Sequence, residues 1–256
     1  MSISIKTARE IEKMRHAGQL LEKVHDELGK AIHPGMSTLE IDRLGEEIIR
    51  SFGCVPNFLN YNGYPASICV SVNQEVVHGI PSRKRILKEG DIVSLDAGLI
   101  YEGYHSDAAR THAVGEISPE AKQLIEVTRQ AFFEGIKYAK AGHHLHEISA
   151  AIGAYAESFG YGVVRDLVGH GIGTHLHEDP QVPNFAQPSR GIRLMPGMTL
   201  AIEPMINAGR PEVRWLDDEW TVVTEDGSLS AHYENTILIT EGEPEILTLS
   251  HPEVTI

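Results

Sequence analysis

The stretch Asp91-Ile-Val-Ser-Leu-Asp-Ala-Gly-Leu-Ile-Tyr-Glu-Gly-Tyr-His-Ser-Asp107 decides how this chain folds. Its β-branched and aromatic residues read as two strands, with Glu102-Gly103 in the turn between them. Asp96 and Asp107 then stand on opposite arms of one hairpin. If Tyr101 pairs with Tyr104 across a two-residue turn, Asp107 lies diagonal to Asp96. A four-residue turn closing on Leu99 and Tyr104 puts them directly opposite. Both registers place the carboxylates on one sheet face, because side chains alternate with period two; a three-residue turn without a bulge separates them. Adjacent carboxylates repel unless they share a proton or bind a cation.

Three more polar groups sit in apolar, strand-like stretches further along. They are His170 in Asp166-Leu-Val-Gly-His-Gly-Ile-Gly173, Glu203 in Leu200-Ala-Ile-Glu-Pro-Met205 and Glu234 in Tyr233-Glu-Asn-Thr-Ile-Leu-Ile239. Pro204 biases Glu203 toward an extended backbone. His232, Glu234 and Thr236 are expected on one face of a final strand. An ionised carboxylate buried without a partner costs many kcal/mol. Four carboxylates cannot neutralise one another, and one imidazole cannot neutralise four; a cation can. Four carboxylates and an imidazole without a thiolate suit Mn, Fe, Co or Zn, and match a structural zinc site poorly. Five ligands exceed what one ion needs. Shared between two ions, with at least one carboxylate bridging, they leave room for a metal-bound hydroxide.

Helical patterns flank these strands. Thr7 to Glu10 fits a capping box followed by Ile11, Met14, Ala17, Leu21, Val24 and Leu28, and Pro34-Gly35 breaks that helix. Ser37 to Glu40 is a second box, leading to Ile41, Leu44, Ile48 and Phe52, with Gly53 as stop. Strands are expected from about Ser67 to Val114. A third helix is capped by Ser118, opens with Pro119 and runs to Gly142. A fourth carries Leu145, Ile148, Ile152, Tyr155 and Phe159 before Gly160, and strands and turns resume from Val163. A shift of 107 residues aligns Lys30 with Lys137, Gly35 with Gly142 and Ile41 with Ile148. The same shift aligns Ser51-Phe52-Gly53 with Ser158-Phe159-Gly160. This pattern reads as an internal duplication with halves of about 1–115 and 116–256 in a single catalytic domain spanning 1–256, and a site built from both halves would lie in the groove between them.

Two histidines border turn-like segments, His78 in Val76-Val-His-Gly-Ile-Pro81 and His177 in Thr174-His-Leu-His-Glu-Asp-Pro180. Alone, each reads as a loop-surface residue, though a near-neutral pKa also suits hydrogen bonding to a substrate carbonyl or amide. His143, His144 and His146 lack carboxylates in pattern and read as exposed. Gly169, Gly171 and Gly173 lack the final spacing and following helix of a dinucleotide loop, and more plausibly let backbone approach a ligand around His170. Tyr61, Tyr64, Cys69 and Trp220 read as core, or as the lining of an apolar pocket.

With 256 residues, 41% of them hydrophobic and 23% charged, the chain has the balance of a globular protein with a well-buried core. A net charge of −14 disfavours nucleic acid and anionic membranes as bulk partners. No apolar signal core opens the chain and no run long enough to span a bilayer occurs. Two cysteines, Cys54 and Cys69, are too few for a disulfide scaffold, so a reducing cytoplasm is the expected setting.

The ordered motifs closely resemble the type I methionine aminopeptidases of bacterial form across essentially the whole chain. They are Tyr61-Asn-Gly-Tyr-Pro65, Ser67-Ile-Cys-Val-Ser-Val-Asn73, Val76-Val-His-Gly-Ile-Pro81, Gly90-Asp-Ile-Val-Ser-Leu-Asp96, Gly103-Tyr-His-Ser-Asp107, Gly169-His-Gly-Ile-Gly173, His177-Glu-Asp-Pro180, Pro196-Gly-Met198, Ala201-Ile-Glu-Pro-Met205, Trp220-Thr-Val-Val-Thr224 and Glu234-Asn-Thr236. Together and in this order they are highly specific, although no single one is. The resemblance implies an α+β "pita-bread" fold, two pseudo-symmetric halves with a curved antiparallel sheet covered by helices. It implies two divalent ions (Co, Mn, Fe or Zn). Asp96 and Asp107 would hold one, Asp107, His170 and Glu203 the other, and Glu234 would bridge them. Glu203 would be the general base, His177 would stabilise the oxyanion and His78 would contact the substrate backbone. The methionine pocket maps onto Tyr61, Tyr64, Cys69 and Trp220, with Leu176 where relatives often carry Phe. His232 stands where Gln is frequent, which bears on the surroundings of the metal.

The implied substrates are N-termini of nascent polypeptides with a small second residue, met at the ribosome by a cytoplasmic monomer. No sequence-specific nucleic-acid or membrane binding is expected. No counterpart is expected to the zinc-binding extension of eukaryotic type I members, nor, with only residues 178 to 202 between His177 and Glu203, to the long insertion of type II enzymes. The rivals are an Xaa-Pro aminopeptidase or prolidase, whose relatives usually carry a further N-terminal domain, and a non-catalytic binding protein of the same fold, which typically loses metal ligands.

Overall fold

The computed structural model describes residues 3–249. Four helices are formed: α1 (Ala8–Ala31), α2 (Thr38–Ser51), α3 (Pro119–Ile136) and α4 (Leu145–Ser158). Strands β1 (Val55–Pro56), β2 (Ile68–Val72), β3 (Glu75–Val77), β4 (Ile92–Tyr101) and β5 (Tyr104–Ala113) lie between the helix pairs. After α4 come β6 (Gly162–Val163), β7 (Gly169–Gly171), β8 (Glu178–Val182), β9 (Thr199–Ile202), β10 (Met205–Asn207), β11 (Val213–Trp215), β12 (Val222–Thr224), β13 (Ser230–His232), β14 (Glu234–Leu238) and β15 (Glu245–Ile246).

The helix starts follow from capping chemistry. Thr7 and Ser37 each accept from the backbone N–H three residues on, and Glu10 and Glu40 reach back to the capping residue, closing both boxes. Ser118 caps α3 ahead of Pro119. Gly53 and Gly160 adopt the left-handed conformation just past α2 and α4 (φ 71° and 80°) and stop them. The third helix departs from expectation, ending at Ile136 rather than Gly142. Short bonds from Tyr138 N to Gly135 O and from Ala139 N to Ile136 O tighten its end. The turn buries Ala139 completely beside Ile136 and Leu145, a position a continuing helix would carry away.

The main sheet is antiparallel, in the order β1-β4-β5-β14-β9-β7-β8, with β2 added to β4 and β15 to β14. Period-two alternation divides its faces. Val93, Leu95, Ala97 and Leu99 of β4 and Ala108 of β5 pack under α1 and α2 against Leu21, Val24, Leu28, Ile41 and Ile49. Leu200, Ile202 and Ile237 pack under Phe132, Ile148 and Ile152 of α3 and α4. The intervening residues face the other way. At Glu203-Pro204 and at Tyr233, β9 and β14 hand over to β10 and β13, which pair in a separate three-stranded sheet with β6. The final strand foreseen through His232, Glu234 and Thr236 is therefore two strands split at Tyr233, whose N–H donates to Pro204 O at 3.2 Å.

Candidate metal centre

β4 and β5 pair from Ile92↔Ala113 to Tyr101↔Tyr104, so the hairpin closes through a two-residue turn. Both turn residues are left-handed, Glu102 at φ 45° and Gly103 at φ 83°. Asp107 faces Gly98 and Asp96 faces Ala109, the diagonal arrangement. Across the next strand pair Ala109 faces Glu234, across the next Thr236 faces Ala201, and across the next Ala201 faces His170. Directly paired residues share a face, as do residues two apart on one strand. The arithmetic therefore puts Asp96, Asp107, Glu234 and His170 on the face away from the helices. Glu203, two residues past Ala201, extends the same row. One candidate ligand comes from each of β4, β5, β14, the end of β9 and β7, five neighbours in the sheet.

Asp107, His170, Glu203 and Glu234 meet at short range. His170 Nε2 lies 3.9 Å from Asp107 Oδ2 and 3.6 Å from Glu203 Oε1. One ligand atom each from Asp107, His170 and Glu234 falls within a 4.8 Å sphere of mutual distances, and so does one each from Glu203, His232 and Glu234. The His170 ring donates through Nδ1 to Gly171 O at 2.8 Å, which leaves the Nε2 lone pair facing the carboxylates. Gly171 is required beside it, since a Cβ there would stand 2.3 Å from Asp179 O.

The electrostatics are those of a site built for cations. Burial raises the carboxyl of Asp96 to about 7. Burial first, and then the neighbouring acids, push Asp107, Glu203 and Glu234 well above the ordinary carboxylate range. Burial holds His170 at about 3, hence neutral. Among the described residues, buried atoms Asp96 Oδ1, Asp107 Oδ1 and Glu234 Oε1 have no hydrogen-bond partner. Such orphaned carboxylate oxygens fit divalent cations and fit little else.

A cavity of about 180 Å³ opens on this cluster. Its far side is apolar: Tyr64, Cys69 and Leu176 are buried there with Phe58, and Tyr61 and Trp220 pack against them. Tyr64 donates its hydroxyl to Gly79 O at 2.8 Å and meets Trp220 edge-on at 5.1 Å. His78 lines the cavity after β3, left-handed at φ 58°, with Trp220 against its ring. His177 is exposed at the rim, its Nδ1 2.7 Å from the Tyr61 hydroxyl and its ring 4.3 Å from that of His170. Every candidate site residue named from the sequence thus borders one cavity. Phe58 and Asn62 also line it, and their only signal was adjacency to Tyr61. The histidines 143, 144 and 146 stay outside, at the start of α4.

The profile of metallopeptidase family M24 matches residues 12–241. The methionine aminopeptidase of Clostridium acetobutylicum is 55% identical over 247 residues, covering 96% of this chain and 99% of that one. The crystal structure of methionine aminopeptidase from Thermotoga maritima superposes with a TM-score of 0.94 at 48% identity, over 96% of this chain and 99% of that one. An Xaa-Pro dipeptidase from Bacillus anthracis is more distant, with a TM-score of 0.78 and 29% identity, over 97% of this chain and 63% of that one. On sequence and on architecture alike, this chain belongs to metallopeptidase family M24, in its methionine aminopeptidase branch.

Proposed function

We infer that the chain is a metal-dependent methionyl aminopeptidase, removing the N-terminal methionine from polypeptides whose second residue is small. The observation that carries this is the row of five ligands, one per neighbouring strand, opening onto a cavity whose other wall is apolar. In this reading Asp96 and Asp107 would hold one divalent ion and Asp107, His170 and Glu203 a second, with Glu234 serving both. Bound there, such ions supply Lewis acidity and acidify a coordinated water.

The remaining work falls to the chain's own side chains. Tyr61, Tyr64, Cys69, Leu176 and Trp220 enclose an unbranched thioether side chain and exclude water from it. His78 hydrogen-bonds the substrate backbone beside the first peptide bond. Glu203 accepts the proton of the attacking water and returns it to the departing amine, a contribution of roughly 10²–10⁴-fold. With the Tyr61 hydroxyl, 2.7 Å away, as the donor to His177 Nδ1, the imidazole proton would stand on Nε2, where it can meet the developing oxyanion. Although His177 stands at the rim, partial desolvation of its ring by the cavity wall lowers its pKa and favours the neutral donor form.

The reading extends to nascent chains at the ribosome as substrates, and to a cytoplasmic monomer; among the described residues no helix is long and apolar enough to cross a membrane. It also extends to one catalytic domain with halves of about 1–115 and 116–256. In support, α2 and α4 stand 107 residues apart at both ends, and so do the isolated bridges Ser37↔Ile86 and His144↔Arg193. Metal-stripped protein should regain cleavage of Met-Gly-Met-Met on addition of Mn, Co or Fe, and should leave Gly-Pro dipeptides intact. Preferential cleavage before proline would overturn the substrate assignment.

A further inference from the structure

We propose that His232 is a sixth protein ligand of the metal centre, completing a second donor set with Glu203 and Glu234 and biasing it toward zinc and iron over manganese. The proposal rests on the metal-dependent reading above and adds a ligand to it. Only 1% of the His232 surface is exposed, and neither ring nitrogen has a hydrogen-bond partner among the described residues. A buried imidazole with both nitrogens unpaired is rare and requires a reason.

The geometry supplies one. His232 Nε2 lies 3.7 Å from Glu203 Oε2 and 3.9 Å from Glu234 Oε2. His170 Nε2 stands in the same relation to its carboxylates, 3.6 Å from Glu203 and 3.9 Å from Asp107. These separations are too long for hydrogen bonds. Two donors each about 2.1 Å from one ion stand roughly 3.0–3.4 Å apart, a little inside the separations seen here. Glu203 thus offers one oxygen toward each histidine.

The backbone, rather than a bond to the ring, holds His232 in place. Its N–H donates to Thr111 Oγ1 at 2.9 Å, its carbonyl accepts from the same hydroxyl at 2.9 Å, and it pairs with Met205 across β13 and β10. The ring is thereby directed at the corner where Glu203-Pro204 leaves the main sheet. A second imidazole makes a carboxylate-dominated site richer in borderline nitrogen donors, which suits zinc and iron better than manganese.

X-ray absorption on the full chain loaded with two zinc ions counts imidazoles directly. Two per ion pair are expected in the unaltered protein, and one in His232→Gln, in His232→Ala and in the reference variant His170→Ala. Calorimetric titration of metal-free protein should show zinc binding at the weaker site reduced at least tenfold in both His232 variants, with manganese less affected. Circular dichroism of the metal-free forms checks folding, and the count in the unaltered protein stands without any variant. A protein that binds no divalent ion overturns the metal reading and this proposal with it. Normal loading with one imidazole per ion pair, or a count and zinc-to-manganese ratio unchanged in His232→Gln, overturns the His232 assignment alone.

Discussion

Glu203 is the residue on which most of the proposed chemistry converges. It follows the last paired residue of β9, and Pro204 holds its backbone extended while Asn184 Nδ2 donates to its carbonyl at 3.0 Å. The side chain meets His170 on one side and His232 on the other. Glu203→Gln keeps shape but removes the basic oxygen, and kcat on Met-Gly-Met-Met should fall by roughly 10²–10⁴-fold. Metal content measured on the same sample separates a lost base from a lost ligand, and wild-type turnover would exclude the role. At the rim, His177→Ala should lower kcat by about 10²-fold with KM little changed, since an oxyanion donor acts chiefly in the transition state. A selective rise in KM would instead make His177 a binding residue.

At the scale of elements, the hairpin of β4 and β5 sets the site. Its two-residue turn keeps Asp96 and Asp107 on one face, and a slip of one residue would send one of them to the helix side. Gly103 is left-handed with open space around its Cα, so Gly103→Ala meets no clash and pays only for backbone conformation. That should cost about 1–2 kcal/mol in urea unfolding. A neutral substitution would mean the turn relaxes to another type, and activity should then fall with the register. The second capping box offers a parallel case: Ser37→Ala should cost about 1 kcal/mol.

At the scale of the whole molecule, the fold holds four carboxylates together against their own repulsion, so cations contribute to stability as well as to chemistry. A chelator should lower the Tm, and divalent ion at a hundredfold its Kd should restore about 2.7 kcal/mol. An unchanged Tm would mean the acids are neutralised some other way. Acid sensitivity should arise under α1. His112 sits against the bare Cα of Gly29, and His25 donates to Ala108 O at 2.8 Å. Burial first, then the charge of Arg110, lowers His25 far below 6.5 and His112 to about 4. Between pH 4 and 6.5 the unfolded chain therefore binds more protons than the folded one. Stability is full above that window and lost as pH falls through it, on the order of 2 kcal/mol from His112 at pH 5. Urea titrations at pH 7 and 5 on wild type and His112→Gln measure this, and an equal acid slope in the variant would remove His112 as the cause.

The chain's linear pattern determined the helix starts, the alternation that buries one face of each strand, and the five candidate ligand types, because capping, period and residue chemistry are local properties. The family motifs were legible for the same reason, and so were the pocket residues Tyr61, Tyr64, Cys69 and Trp220. The hairpin register stayed open among turns of two, three and four residues until the left-handed Glu102 and Gly103 selected the two-residue turn. The early stop of α3 depended on burying Ala139 against another helix. His232 was visible as an unusual residue, but not as a neighbour of Glu203. Their approach depends on two strands leaving the main sheet together at Pro204 and Tyr233, a pairing between segments far apart in the chain, which only the tertiary structure decides.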